Sequence, residues 1–340
     1  MNLRASFSRL AFVILAAAAC SLCAAQTYTI TDLGTLPGGS SSGAKAINKT
    51  GEITGFSYSS GTVSDAFSYS NGVMTNLGTL GGTTAIGNGI NKSGQTAGYS
   101  TNSANTYRAF LTTGTTMTDI GDLGGGSAVA YAINDSGQVV GSAVTADGSN
   151  HPFLYSGGVM TDLGTLGSPN GNSWWNSAQG INNYGEVVGT SYDSKGNFFG
   201  FTWINGTMTK MGTLGGLWSQ AYGVNNRGQV TGLGYTKTSA HAFLATNGKL
   251  RDLGSAIDGK FGTTWGFAVN DAGVVVGQST YKGTYHAFVF SGGKMTDLNS
   301  LITAGSGWVL LSANGINNSG QIVGEGTING HEHGFLLTPK

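Results

Sequence analysis

Short apolar runs separated by glycine- and asparagine-rich turns fill this chain, and one arrangement of them returns again and again. In residues 130–142 an apolar run ends at Ile133-Asn134, Asp135-Ser136-Gly137 follows, and Gln138-Val139-Val140-Gly141 opens the next run. Asn at the first turn position with Gly three residues later suits a type I turn whose glycine takes positive φ. The apolar runs on either side predict two antiparallel strands, called A and B. The Val139-Val140-Gly141 centre of strand B shows no polar alternation, as expected of a strand covered on both faces.

A second hairpin follows. His151-Pro152-Phe153-Leu154-Tyr155 runs into Gly157-Gly158 and out through Val159-Met160-Thr161-Asp162-Leu163-Gly164. Equivalent turns stand at Asn71-Gly72, Asn205-Gly206, Asn247-Gly248 and Gly292-Gly293. Asn-Gly and Gly-Gly between apolar runs mark tight hairpins, because both central residues need positive φ. These are strands C and D, so each unit predicts four antiparallel strands.

The phrase Ile/Val-Asn-x-x-Gly-x-x-x-Gly recurs seven times, with its asparagine at Asn48, Asn91, Asn134, Asn182, Asn225, Asn270 and Asn317. Steps of 43 to 48 residues belong to blades and arrays rather than to one irregular domain. The first D-like segment, residues 28–36, has no A, B or C before it, and the last strand C, at residues 333–337, has no D after it. Joining them closes a ring and hides sheet edges that an open array would expose. The expected fold is therefore all-β, a seven-bladed β-propeller of four-stranded antiparallel blades. Its closing blade combines the N-terminal strand with three C-terminal strands. A β-solenoid fits poorly, since the hairpin turns dictate antiparallel neighbours.

Composition adds the setting. Charged residues are 9% of the 340, with 59 Gly and only 4 Pro, a turn-dense profile that is neither disordered nor collagenous. Residues 1–25 carry Arg4 and Arg9, then an apolar run and small residues. This is the pattern of a secretory signal peptide, too short for a membrane span, and residues 26–340 form a single repeat domain. Acylation at Cys20 is the lesser alternative, because Ala17 sits where Leu is usual. Both cysteines, Cys20 and Cys23, fall inside this leader, so the exported chain has no disulfide or thiolate chemistry. The expected location is extracellular or periplasmic, as a monomer with no membrane span after cleavage. No basic cluster is present, which argues against nucleic acid.

The repeats also contain His241-Ala242-Phe243 and His286-Ala287-Phe288. Degraded copies are Asp65-Ala66-Phe67, Arg108-Ala109-Phe110, His151-Pro152-Phe153, Phe199-Gly200-Phe201 and His333-Gly334-Phe335. Together with Met-Thr-Asp-Leu-Gly and Ile-Asn-x-x-Gly, they make the chain resemble the bacterial extracellular HAF repeat family along its whole mature length. That resemblance implies a secreted or surface protein and brings no catalytic residues with it.

Chemistry is sparse. The phrase histidines read as polar groups bonded to a neighbouring turn. His331 and His333 would share one strand face but lack a third metal ligand, so neither a metal nor a cofactor is expected. Met74, Met117, Met160, Met208 and Met295 take one strand D position and read as core between blades. Glu52, Glu186, Asp193, Glu325 and Glu332 stand outside the repeated Asp-Leu-Gly, yet nothing marks a catalytic pair among them. No catalytic residue is assigned.

One feature breaks the repeat in a directed way. The D-to-A loops of the later units carry Trp174, Trp175, Trp218, Trp265 and Trp308, whereas the first three are plain. The B-to-C loops, expected on the same face, add Tyr192, Tyr235, Tyr281 and Tyr285. An aromatic crescent suits stacking of sugar rings, and low charge favours a neutral ligand. The alternative is indoles packed between blades. The resulting expectation is a non-enzymatic binder of a neutral glycan or an extracellular protein. A polysaccharide hydrolase or lyase, or a purely structural surface protein, stands behind it.

Overall fold

The computed structural model describes residues 26–60, 63–168, 175–257, 259 and 262–340; the expected signal peptide, residues 1–25, lies outside them. The described residues form 28 strands and one short 3-10 turn, Leu298–Ser300, with no α-helix. None of them builds a helix long and apolar enough to cross a membrane.

The third unit shows the local rule. Strands Gly124–Ile133, Val139–Thr145, Asn150–Ser156 and Val159–Asp162 pair in that order, each antiparallel to the next. At the A–B turn the Gly137 amide donates to the Asn134 carbonyl at 3.0 Å, and Gly137 has φ 77. The C–D turn places Gly157 and Gly158 at φ 58 and 89, the left-handed pair that a two-residue hairpin demands. Residues 177–210, 219–252 and 264–297 repeat this four-stranded order. Residues 41–78 and 81–119 do so as well, joined into one eight-stranded sheet by the parallel pair Ser64↔Thr84.

The last sheet is built from both ends of the chain. Trp308–Ile316, Ile322–Ile328 and His331–Pro339 supply three strands, and Tyr28–Asp32 adds the fourth. Its register runs from Tyr28↔Pro339 to Asp32↔Phe335. The N-terminal strand thus closes the C-terminal set, as the unmatched D strand required.

The core lies between units rather than within them. Phe153 and Val139 of the third unit pack with Ala97, Ala109 and Ile120 of the second, and Phe201 and Val187 pack with Val140 and Leu163 of the third. The same exchange closes the circle where Leu33 and Val323 meet Ala44, Ile53 and Phe67. Each unit contributes one fully buried phenylalanine from the His-Ala-Phe phrase, from Phe67 to Phe335. The strand D methionines sit half-buried against these layers, Met160 and Met208 among them, which matches the packing role read from their spacing.

The phrase asparagines hold the units together from the inside. Each Oδ1 accepts two amides of its own turn; for Asn182 these come from Tyr184 at 3.0 Å and Glu186 at 3.1 Å. Each Nδ2 donates onward to the backbone carbonyl of the next unit's asparagine. Asn48 reaches Asn91, Asn91 reaches Asn134, and Asn134 reaches Asn182. Asn182 reaches Asn225, Asn225 reaches Asn270, and Asn270 reaches Asn317. Asn317 then donates to the Asn48 carbonyl at 3.1 Å, and the circle is complete. The asparagine is a link between neighbours as much as a turn residue.

The second glycine of the phrase answers a different demand. Strand A bulges by one residue between Ala130 and Ala132, and the bulge brings a backbone carbonyl onto strand B. A Cβ on Gly141 would lie 2.0 Å from the Val129 oxygen and 2.8 Å from the Phe153 ring. On Gly277 it would lie 1.7 Å from the Trp265 oxygen. Only glycine fits.

These contacts set two expectations for stability. Asn182→Ala removes two turn bonds, the inter-unit bond and a bond to Glu186, and should lower unfolding free energy by about 2–4 kcal/mol at roughly 1 kcal/mol per bond. The exposed neighbour variant Asn183→Ala should cost well under half as much, because water replaces its partners. Gly141→Ala should cost about 1–3 kcal/mol or more through overpacking. Urea melts of the three variants read all of this directly.

Candidate functional site

The bulge that dictates the glycine also selects which side chains enter the centre of the ring. The register slips at the same place in every strand A, immediately after Ala44, Gly87, Ala130, Ala178, Ala221, Gly266 and Ala313. A bulge re-aims the extra residue. Here six of the extra residues, Lys45, Asn88, Tyr131, Gln179, Tyr222 and Asn314, line a cavity of about 260 Å³ on the channel axis. A waist of isoleucine and valine side chains, Ile90, Ile181 and Val224 among them, borders both this cavity and a wider mouth of about 410 Å³ ringed by the linking asparagines.

The channel lining is polar yet electrically balanced. Lys45 Nζ lies 2.6 Å from Glu325 Oε1, and Asn314 Nδ2 donates to the same carboxylate at 3.0 Å. Asn88 Nδ2 donates to the Ala130 carbonyl at 2.8 Å and Gln179 Nε2 to Ser177 Oγ at 2.8 Å. The Tyr222 hydroxyl donates to Gln220, and its ring meets Phe267, the seventh bulge residue, edge-on at 5.8 Å. Burial pushes the Tyr222 and Tyr131 phenols up, for Tyr131 against a hydrogen bond from Ser142. Burial, with nearby Tyr107, Tyr131 and Tyr58, pushes the Tyr99 phenol up to about 12.

The aromatics expected in loops divide into four groups, and six of them lie at strand ends instead: Tyr192, Tyr235, Trp265, Tyr281, Tyr285 and Trp308. Trp175 is 53% exposed and stacks on Phe198 at 6.0 Å with 13° between the planes. Phe198 meets Trp218 at 4.6 Å and Tyr192 at 5.7 Å, and Trp218 meets Tyr235 at 4.1 Å. Four expected residues therefore share one patch across two units, with Phe198 as the ring joining them. Trp265 and exposed Tyr285 form a separate edge-to-face pair at 5.7 Å, and Tyr281 stacks on His286 at 4.0 Å. Trp308 is 9% exposed and packs edge-on to Phe335 within the core of the closing sheet. Trp174 lies outside the described residues.

The phrase histidines have side-chain partners within their own sheets, and His241 also meets Ser239 of the preceding turn through Nε2 at 2.8 Å, the kind of bond read from the sequence. His151, His241, His286 and His333 place Nδ1 at 2.7–2.9 Å from Asp162, Asp252, Asp297 and Asp32, each pair tying strand C to strand D. Where the phrase is degraded, the partner changes with it. Arg108 binds Asp119 at 2.7 Å, Asp65 accepts from Asn76 at 3.2 Å, and Lys210 stands 3.3 Å over the Phe199 ring. Four of the five isolated acids are committed too: Glu52 and Glu186 accept from the linking asparagines, Asp193 pairs with Lys210, and Glu325 pairs with Lys45, while exposed Glu332 stands apart on the last strand. Among the described residues no group of three or more His, Cys, Asp or Glu could hold a metal ion.

Phe198 and the channel residues escaped the sequence reading. Phe198 sits beside a degraded phrase copy. The channel residues hide because a bulge breaks the alternation that assigns strand faces. A signal was present: the extra residue stands between small neighbours in every unit, as in Ala44-Lys45-Ala46 and Gly87-Asn88-Gly89, and its identity keeps changing.

A ring of four-stranded antiparallel sheets, closed by its two ends around a central channel, defines a β-propeller. The chain is similar to the β-propeller domain of the Trilobed protease from Pyrococcus furiosus, with a TM-score of 0.57 and 10% identity over 92% of this chain and 95% of that one. That propeller has an open velcro topology, whereas here Tyr28–Asp32 pairs with His331–Pro339. The chain is also similar to an acylaminoacyl peptidase of Pyrococcus horikoshii, with a TM-score of 0.53 and 10% identity over 88% of this chain and 52% of that one. At this identity the likeness is one of fold. No family model and no curated protein matches the sequence.

The buried phenols carry a pH signature. A phenol whose pKa is raised by folding contributes its stability below about 10, the unfolded value, and that contribution is lost as pH rises toward 12. Phenolate absorbance of the native protein should therefore show a fraction of its tyrosines ionising near 12 or above. Tyr99→Phe should lose one of these late-titrating groups and reduce the fall in melting temperature between pH 10 and 12.

Proposed function

We propose that this chain is a secreted, monomeric seven-bladed propeller of the HAF repeat type that binds a neutral glycan without transforming it. The blade count follows from taking the eight-stranded sheet as two blades, which agrees with the seven linking asparagines. Export follows from the leader at residues 1–25. The observation that carries the binding role is the exposed stack of Trp175 on Phe198, continued through Trp218 to Tyr235. Packing alone does not require an indole that is half in water. Amphipathic rings presented in a row suit the apolar faces of successive sugar rings. Trp265 and Tyr285 extend the face toward the next blade, while buried Trp308 serves the core. The commitment of Glu52, Glu186, Asp193 and Glu325 to structural partners supports binding over hydrolysis.

A glycan-array screen of the wild type, followed by calorimetry on the best binder, tests this role. Each stacked ring is worth about 0.5–1.5 kcal/mol, so Trp175→Ala and Trp218→Ala should each weaken binding by about 2–10-fold. Unchanged affinity in both variants, or no glycan bound by the wild type, would sink the proposal.

A further inference from the structure

The bulge position differs from every other position of the repeat. The linking asparagine, both glycines and the buried phenylalanine are each demanded by a contact described above. Nothing in the fold demands a particular residue at the bulge, where the chain carries Lys45, Asn88, Tyr131, Gln179, Tyr222, Phe267 and Asn314. A position that the fold leaves free, repeated around one cavity and filled with hydrogen-bonding and aromatic groups, is the arrangement of a ligand site.

We infer that the central channel is a second binding site, separate from the outer aromatic patch, for one neutral polyhydroxylated ring such as a monosaccharide unit. Three observations specify the class. First, Lys45, the one ionic residue lining this cavity among the described residues, is neutralised by Glu325 at 2.6 Å, so a charged ligand would have to compete with an existing pair. Second, the amide oxygens of Asn88 and Gln179 accept no hydrogen bond among the described residues, although their NH₂ groups are engaged. These oxygens stay open to the cavity rather than sealed in the protein, so ligand hydroxyls can donate to them in place of water. Third, Tyr131 and Tyr222 line the same space, and aromatic rings suit the apolar C–H side of a sugar. The volume of about 260 Å³ falls just below the roughly 300–1,000 Å³ of sites for drug-sized molecules, which suits a single ring.

The test is ligand-observed NMR on the wild type with a panel of methyl α- and β-pyranosides, then calorimetry on any that bind. At least one should bind with one-to-one stoichiometry, and Asn88→Leu and Gln179→Leu should each weaken it tenfold or more. Trp175→Ala should leave that affinity unchanged. Gln179→Trp, which fills the cavity, should abolish binding while the melting temperature stays near that of the wild type. If a leucine variant melts early, Gln179→Asn withdraws the amide by one methylene and should still weaken binding. The inference is overturned if no pyranoside binds, or if binding survives the channel substitutions. Binding lost only in Trp175→Ala would uphold the outer patch and eliminate the channel site.

Discussion

Everything in this molecule hangs on one primary amide per unit, shared between its own turn and the next unit's backbone. As acceptor, the asparagine side chain fixes a turn; as donor, it fixes a neighbour. No other short side chain does both, since Asp lacks the donor and Ser lacks the reach. The seven bonds all run in the same rotational sense, from Asn48 through Asn317 and back to Asn48. They sit at the narrow centre, where strands from all units converge and each buried carbonyl needs a donor.

A second tier of bonds outside this circle shows how the symmetry fades. Backbone amides of Lys92, Asp135, Asn183, Asn226 and Asp271 donate to the side-chain oxygens of Asp135, Asn183, Asn226, Asp271 and Asn318. Lys49 and Lys92 offer no acceptor, so this tier is an arc rather than a circle. The inner asparagine is present in all seven units, whereas the outer bond is absent where lysine stands and water can take its place. The same division governs the C–D pairs. Four use histidine and aspartate, and three use an ion pair, an amide or a cation over a ring. What those positions need is a complementary partner, not a particular residue.

Much of this was legible in the sequence. The Asn-x-x-Gly turns, the Asn-Gly hairpins and the unmatched end strands gave strand order, turn type and the closing pair. They did so because turn geometry is a local demand that one or two residue types meet. Side-chain destinations were less legible. Trp175 stands in the loop before its strand and lies half in water, whereas Trp308 opens its strand and is buried on Phe335. The difference arises from where each loop ends and its strand begins, which no repeat pattern encodes. The channel lining was hidden for another reason: one extra residue per strand inverts the inward and outward assignment beyond it.

The closing sheet also imposes an order of events on the growing chain. Tyr28–Asp32 pairs only with His331–Pro339, and Leu33 is covered only when Val323 and Phe67 have arrived. This N-terminal strand is thus made long before its partner, and until that partner arrives it has an unpaired edge. Contacts spanning some 300 residues are slow to form, because loop closure must precede them. The strand that waits is short, five residues of which two are threonines and one is aspartate, a composition that gives a passing chain little to adhere to.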